Sequence, residues 1–226
     1  MRIGGLQKLT LVDFPGRIAS TVFVQGCNFR CGYCHNPELV LPQAFQEPLL
    51  PEMVFNFLEG RRGVIEGVVI TGGEPTLQKE LPDFIACIKQ MGFAVKLDTN
   101  GSRPDVLASL LESRLLDYIA MDVKTCLDKY SRAIGVSCDT AKIKESIRLV
   151  INSNVPYQLR TTLIKEFCAE QDLNEIKHLI GQANHYVLQP FVHSPKMIDP
   201  RIDAQDQYTP SQVESFKAKY DRVKTG

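Results

Sequence analysis

Short apolar runs rich in β-branched residues alternate along the chain with segments of helical periodicity. Runs of the first kind predict strands, and apolar positions three and four residues apart predict amphipathic helices. The six predicted strands are residues 18–25, 67–71, 93–98, 118–123, 156–163 and 186–191. The five predicted helices are residues 51–61, 80–90, 104–113, 141–152 and 172–182. The chain is therefore predicted to alternate strand and helix.

This alternation indicates an α/β fold with a parallel sheet, because successive strands joined by helices are most simply parallel. An open doubly wound sheet and a barrel both satisfy the pattern. A complete eight-unit barrel usually needs roughly 250 residues, and only six units are found. We therefore expect a partial, open parallel (βα)6 barrel, formed by a single domain that spans residues 1–226. In either architecture, ligands bind at the carboxyl ends of the strands.

The charge balance narrows the function classes. The chain has 26 Lys and Arg against 26 Asp and Glu, so no basic surplus favours nucleic acid as a partner. No apolar run approaches the length of a membrane span, and Lys8, Asp13 and Arg17 interrupt any signal-peptide core. The expectation is a cytoplasmic protein. Its seven cysteines are an odd number, which does not indicate a disulfide framework.

Three of the cysteines lie close together after the first predicted strand. Cys27, Cys31 and Cys34 have the spacing C-x3-C-x2-C on a loop at the ligand-binding rim. Thiolates favour zinc, copper(I) or an iron–sulfur cluster. A structural zinc or an electron-transfer cluster would use a fourth ligand, and none follows at the usual spacing. Three ligands on a four-iron cluster leave one iron open, which is typical of catalysis. Zinc, or three cysteines packed in a turn, remains the alternative.

Polar residues at the ends of the later strands add candidate ligands. Gly72, Gly73 and Glu74 follow the second strand, where a plain turn is the alternative. Asp98 and Thr99 end the third strand, before an ordinary Asn-Gly turn.

The last three strands carry further polar residues. Asp122 and Lys124 end the fourth strand, where core packing explains a charged pair poorly. Arg160 lies within the fifth strand and needs an anion, either a ligand or a salt-bridge partner. Gln189 and His193 accompany the sixth strand, and His193 is equally consistent with an ordinary loop histidine.

The cysteine loop resembles that of the radical S-adenosylmethionine (SAM) enzymes, whose signature is C-x3-C-x-aromatic-C with Tyr33 in the aromatic position. The run Cys34-His35-Asn36-Pro37 is similar to that of the activating enzymes of glycyl-radical proteins, and residues 72–75 resemble their GGEP motif. The segment VDFPG, residues 12–16, resembles anaerobic ribonucleoside-triphosphate reductase activating proteins. This similarity implies a [4Fe-4S] cluster on the three cysteines, with SAM bound through its amino and carboxylate groups to the open iron.

The resemblance also implies roles for the strand ends. Residues of the GGEP motif would lie against the methionine end of SAM. Asp98, Lys124 and Arg160 would contact the same part of the cofactor. Asp98 and Asp122 would help to hold a monovalent cation, and a histidine near 193 would approach the ribose. Cys87, Cys126, Cys138 and Cys168 share no ligand spacing and are predicted to be ordinary thiols.

The implied activity is abstraction of a hydrogen atom from a glycine of a large glycyl-radical enzyme, with an anaerobic ribonucleotide reductase as the expected partner. An electron donor such as flavodoxin or ferredoxin would supply the electron. Two alternatives stay open. One is a radical SAM enzyme that acts on a small molecule, such as those of the queuosine pathway, or on another peptide. The other is a non-catalytic iron–sulfur electron carrier.

Overall fold

One eight-stranded sheet organises the protein in the computed structural model, which describes residues 1–223. Its strands are β1 (Ile3–Thr10), β2 (Ala19–Val24), β3 (Gly67–Gly72), β4 (Ala94–Thr99), β5 (Tyr118–Asp122), β6 (Tyr157–Leu163), β7 (His185–Pro190) and β8 (Arg222–Val223). They lie in the sheet in chain order. The six strands from β2 to β7 pair in parallel, while β1 and β8 pair antiparallel at the two edges.

Helices connect the parallel strands and cover one face of the sheet. They are α1 (Pro37–Val40), α2 (Pro51–Glu59), α3 (Leu81–Gln90), α4 (Pro104–Glu112), α5 (Tyr130–Ile134), α6 (Thr140–Asn152), α7 (Glu170–Leu179) and α8 (Pro210–Tyr220). Short 3-10 turns occupy Pro42–Ala44, Pro75–Leu77, Leu127–Lys129 and Ala204–Asp206. The predicted amphipathic helix at 141–152 is α6, which buries Ile143, Ile147 and Val150. Such burial of one apolar stripe is what attaches each helix to the sheet.

The strand order decides between the two predicted architectures. A doubly wound sheet reverses its order at a switch point, whereas these strands follow one another without reversal. With right-handed crossovers, a sequential order places every connecting helix on the same side and leaves the other face as an interior. The sheet keeps two edges, β1 and β8. The expected α/β fold with a partial, open parallel (βα)6 barrel is therefore confirmed.

All six predicted strands and all five predicted helices are present, with ends that differ by at most three residues. The edge strand β1 was missed, and its glycines Gly4 and Gly5 explain why, because glycine weakens a strand unless neighbours support it. Helix α8 was also missed, although Thr209 and Gln212 form a capping box at its start.

A phenylalanine fills the barrel interior near the amino ends of the strands. The loop before β2 makes a Pro-Gly turn in the VDFPG segment, and Phe14 points from it between Val69, Ala94 and Tyr118. Val69, Ala94 and Tyr118 lie on the same sheet face as the carboxyl-end residues of their strands, nearer the amino end. Phe14 is 3% exposed, so it closes the floor of the barrel.

Candidate functional site

The carboxyl ends of the parallel strands surround a cavity of about 310 Å³. All the predicted site residues except His193 line it: Cys27, Cys31, Tyr33, Cys34, Gly72, Gly73, Glu74, Asp98, Thr99, Asp122, Lys124, Arg160 and Gln189. They meet because parallel strands bring their carboxyl ends to one rim. His193 lies outside this lining, and its backbone N–H donates to Gln207. What each of these residues would bind stays a prediction.

The cysteine loop is held in shape by its own backbone and by Arg30. The guanidinium of Arg30 donates to the carbonyl oxygens of Cys27, at 2.6 Å, and Phe29, at 2.8 Å. The backbone N–H of Arg30 donates to Ile134 at 2.7 Å, which ties the loop to α5. The loop is therefore pre-shaped, with its three thiols around the cavity.

Burial keeps these thiols neutral in the absence of a cation. It raises the pKa of Cys27 to about 12 and also raises the pKa values of Cys31 and Cys34. Metal ligation requires the thiolate, so a bound metal centre must offset this cost.

The donor set suits an iron–sulfur cluster. Three thiols that line one cavity are soft ligands of the kind that such a cluster uses. Among residues 1–223, no three His, Cys, Asp or Glu side chains are arranged to hold one metal ion.

Five charged side chains form a series of ion pairs in which positive and negative charges alternate. They are Lys96 and Asp98 on β4, Arg160 on β6, Asp122 at the end of β5 and Lys124 just after it. Asp98 pairs with Lys96 and, at 3.1 Å, with Arg160. Asp122 pairs with Arg160 and, at 2.8 Å, with Lys124. Arg160 thus has the salt-bridge partners that its position in a strand required. Three cations against two carboxylates leave one positive charge in excess, which suits an anionic ligand group.

Asp122, Lys124 and Arg160 stay ionised at neutral pH. Burial raises the pKa of Asp122, but the charges of Arg160 and Lys124 lower it by more, to well below its usual range. Burial lowers the pKa values of Lys124 and Arg160, and the charge of Asp122 more than reverses that effect. These three side chains therefore carry fixed charges and supply no proton near pH 7.

The Glu74 side chain is buried, and its carboxylate is hydrogen-bonded by other residues of the protein. Its carboxylate accepts four hydrogen bonds, from the N–H of Thr76 at 3.1 Å, its hydroxyl at 2.5 Å, the hydroxyl of Thr99 at 2.7 Å and the N–H of Asn100 at 2.6 Å. Burial raises its pKa, and the hydrogen bonds lower it only in part. These hydrogen bonds fasten the end of β4 to the end of β3. The contact of Glu74 with the methionine end of SAM stays a prediction.

The two glycines of the GGEP motif are explained by contacts within the chain. Gly72 has a φ of +111°, which favours glycine. A Cβ on Gly73 would lie 2.1 Å from the carbonyl oxygen of Gly26. The N–H of Gly73 donates to Val24, and that of Glu74 to Gly26, both at 2.8 Å. The glycines thus let the end of β3 pack against the start of the cysteine loop.

Replacing Gly73 with alanine should therefore lower the free energy of unfolding by about 1–3 kcal/mol, because the clash is with backbone that cannot turn aside. Urea unfolding of the cluster-free protein would measure the change. Gly5→Ala is the matched control, since its added Cβ would meet no atom closer than 3.9 Å. Equal stability of the Gly73 and Gly5 variants would contradict the packing argument.

The remaining predicted residues contribute in different ways. The Tyr33 ring is buried between Phe167 and Phe191, at centroid distances of 6.0 and 6.5 Å. Its hydroxyl is buried without a hydrogen-bond partner among the described residues. Gln189 is exposed at the end of β7. Tyr33 therefore lines the cavity and carries a hydroxyl group that has no hydrogen-bond partner among the described residues.

Two contributors were missed by sequence reasoning. Lys96 is buried beneath Asp98, two residues away on the same face of β4, and that spacing was the available signal. His35 stacks on Phe191, and its Nε2 lies 2.7 Å from the carbonyl oxygen of Val192. This contact ties the cysteine loop to the segment after β7.

The other four cysteines do not line the cavity: Cys87, Cys126, Cys138 and Cys168. All seven cysteines are free thiols. The prediction that these four are ordinary thiols is consistent with their positions and awaits a direct test.

Comparison with known proteins identifies the family. Residues 21–180 match the profile of the Radical SAM superfamily. A candidate glycyl-radical enzyme activating enzyme from Methanocaldococcus jannaschii is 34% identical over 194 residues, covering 84% of this chain and 79% of its own. The chain belongs to the radical SAM activating enzymes. The pyruvate formate-lyase 1-activating enzyme of Escherichia coli K12 is 31% identical over 205 residues, covering 84% of this chain and 80% of its own.

A solved structure supports the same fold. The structure of TYW1 with a bound lysine-pyruvate adduct has a TM-score of 0.64 and 19% sequence identity, covering 89% of this chain and 72% of its own. At that identity the likeness concerns the fold alone. Membership of the radical SAM family implies a [4Fe-4S] cluster and SAM, and the three soft ligands around the cavity fit the cluster.

Proposed function

We propose that this enzyme generates a glycyl radical on an anaerobic ribonucleoside-triphosphate reductase. The observation that carries the chemistry is the meeting of Cys27, Cys31 and Cys34 with a fixed set of charges in one cavity. The choice of reductase rests on the resemblance of the VDFPG segment. In the structure Phe14 of that segment forms the barrel floor, away from the cavity.

The three cysteines would hold the cluster, and its fourth iron would be left for SAM. When bound, cluster and cofactor supply the one-electron chemistry that yields a 5′-deoxyadenosyl radical. Homolytic cleavage of the α C–H bond of the partner glycine would give its hydrogen atom to 5′-deoxyadenosine and leave the unpaired electron on the glycine. A flavodoxin-like or ferredoxin-like donor would supply the electron that SAM cleavage needs.

The chain's own residues would orient the methionine end of SAM. Lys124 and Arg160 present positive charge for its carboxylate, while Asp98 and Asp122 can accept from its amino group. Thr99, Gly72, Gly73 and Gln189 complete the wall. A monovalent cation at the two aspartates has weaker support, because Lys96, Arg160 and Lys124 already neutralise them.

We further propose that residues 1–226 act as one domain, since all eight described strands share one sheet; residues 224–226 lie outside the described range. Free thiols throughout the chain are compatible with the expected cytoplasm. No helix within residues 1–223 is long and apolar enough to cross a membrane. The zero formal net charge favours no nucleic-acid partner.

The test is to mix the reconstituted enzyme, a reductant and SAM anaerobically with the candidate reductase and to record the EPR spectrum. We expect a glycyl doublet on the reductase and one 5′-deoxyadenosine per radical. A reductase whose acceptor glycine is replaced by alanine is the control and should give no doublet. Release of 5′-deoxyadenosine without any doublet would replace the proposed partner with a small molecule or another peptide. No release at all would favour the electron carrier.

A further inference from the structure

Three polar residues next to Cys27 form a closed ring of hydrogen bonds. Nδ2 of Asn100 donates to Oδ1 of Asn28 at 3.0 Å, and Nδ2 of Asn28 donates to the hydroxyl of Ser102 at 2.9 Å. The backbone N–H of Ser102 donates to Oδ1 of Asn100, also at 2.9 Å, and closes the ring. Asn28 follows Cys27 in the chain. The ring therefore fastens the cysteine loop to the end of β4.

The backbone of Asn100 is fixed as well. Its N–H donates at 2.6 Å to the buried carboxylate of Glu74, and the residue is 6% exposed. With both its backbone and its side-chain oxygen held, the amide has a single orientation. The role of Glu74 in this part of the molecule is thus to set the position of Asn100.

One hydrogen of the Asn100 amide remains after the ring is satisfied. An amide nitrogen carries two hydrogens, and Asn28 accepts one of them. The sulfur of Cys27 lies 3.9 Å from the same nitrogen. The backbone N–H of Phe29 reaches that sulfur at 3.4 Å. Two N–H groups are therefore directed at the Cys27 sulfur, and one of them belongs to a side chain.

We propose that Asn100 raises the reduction potential of the cluster by donating a hydrogen bond to the Cys27 thiolate, an inference that rests on the proposed cluster. Reduction adds negative charge to the cluster and its sulfur ligands, and an N–H donor stabilises the more negative state. Asn100 acts through Cys27 and makes reduction by a weak physiological donor more favourable. An Asn-Gly turn would need no such placement of the side chain.

The test compares Asn100→Leu, which removes the amide, with Asn100→Asp, which keeps the acceptor for Ser102 but adds a charge. Reconstituted enzyme without SAM or partner is titrated with dithionite under argon, and the reduced fraction is followed by EPR. For Asn100→Leu we expect the ratio of reduced to oxidised cluster at a fixed potential to fall about tenfold, equal to about 59 mV for one electron. For Asn100→Asp we expect a larger fall.

Ser102→Ala is the control, because it removes one bond of the ring but leaves the Asn100 amide and the backbone N–H of residue 102 in place. Its potential should equal that of the wild type. A wild-type potential in Asn100→Leu, or an equal shift in Ser102→Ala, would overturn the role of Asn100. A wild-type protein that assembles no [4Fe-4S] cluster would overturn the proposed function itself, and the two failures are therefore distinguishable.

Discussion

Replacing Cys31 with alanine is expected to abolish both cluster assembly and SAM cleavage. Cys31 is 8% exposed, lines the cavity and is the middle one of the three proposed cluster ligands. With two cysteines left, the cluster lacks the ligands to hold it against the cost of deprotonating buried thiols. The rate of 5′-deoxyadenosine formation should fall at least about 1,000-fold, which corresponds to about 4 kcal/mol. Iron content and chromatographic detection of the nucleoside measure both effects.

Cys126→Ala is the control for Cys31→Ala. Cys126 is also buried, at 2% exposed, but it lies outside the cavity and contacts Asp172 instead. Its removal should leave iron content and SAM cleavage at wild-type levels. If Cys31→Ala retained cleavage, or if Cys126→Ala lost iron, the assignment of the cluster ligands would be wrong.

The second large effect is expected at Arg160, whose replacement by methionine should destabilise the cluster-free protein by about 3 kcal/mol. The substitution keeps the length of the side chain but removes the charge that bridges Asp98 and Asp122. Each carboxylate keeps one lysine, so the loss lies at the lower end of the range for a broken buried pair. For a chain of this size the melting temperature should fall by roughly 6–12 °C. Calorimetry would measure it.

Acid unfolding gives an independent readout of Arg160. Because the pKa of Asp122 is lowered by folding, its contribution to stability is complete above the ordinary aspartate pKa of about 3.9. That contribution is lost as the pH falls through the lower, folded-state pKa. In Arg160→Met the pKa of Asp122 moves back towards its ordinary value, so stability should depend less on pH between about 5 and 2.

Arg201→Met is the control for Arg160→Met. Arg201 also pairs with an aspartate, Asp199, at 2.7 Å, but its side chain is 88% exposed. Exposed ion pairs contribute little, so neither the melting temperature nor the acid profile should change measurably. Equal destabilisation of the two arginine variants would show that the cavity charges are not coupled as the geometry indicates.

The sequence predicts the rim of the barrel well because chemistry and local pattern agree there. Polar residues at the ends of buried strands, such as Asp98 and Asp122, have no role in the core, and parallel strands must bring them together. Three cysteines within one short loop need no tertiary information to be read as a ligand set. All the predicted site residues except His193 therefore line one cavity.

Contacts between distant segments could not be predicted from local pattern. Glu74 accepts hydrogen bonds from Thr99 and Asn100, which lie at the end of another strand, and nothing in the local sequence indicates this contact. Asn100 itself was read as half of an Asn-Gly turn. The VDFPG segment predicts a turn, but the packing of four strands determines where Phe14 goes.

The barrel floor has a consequence for the order of events. Because Phe14 and its neighbours fill the amino end of the interior, SAM and the glycine of the proposed partner would both approach from the opposite end. A docked reductase would cover the route by which the cofactor enters and its products leave. Cofactor loading should therefore precede docking, and exchange of spent for fresh SAM should await dissociation. Each encounter with the proposed reductase would then install at most one radical, so the enzyme would complete a single turnover per encounter.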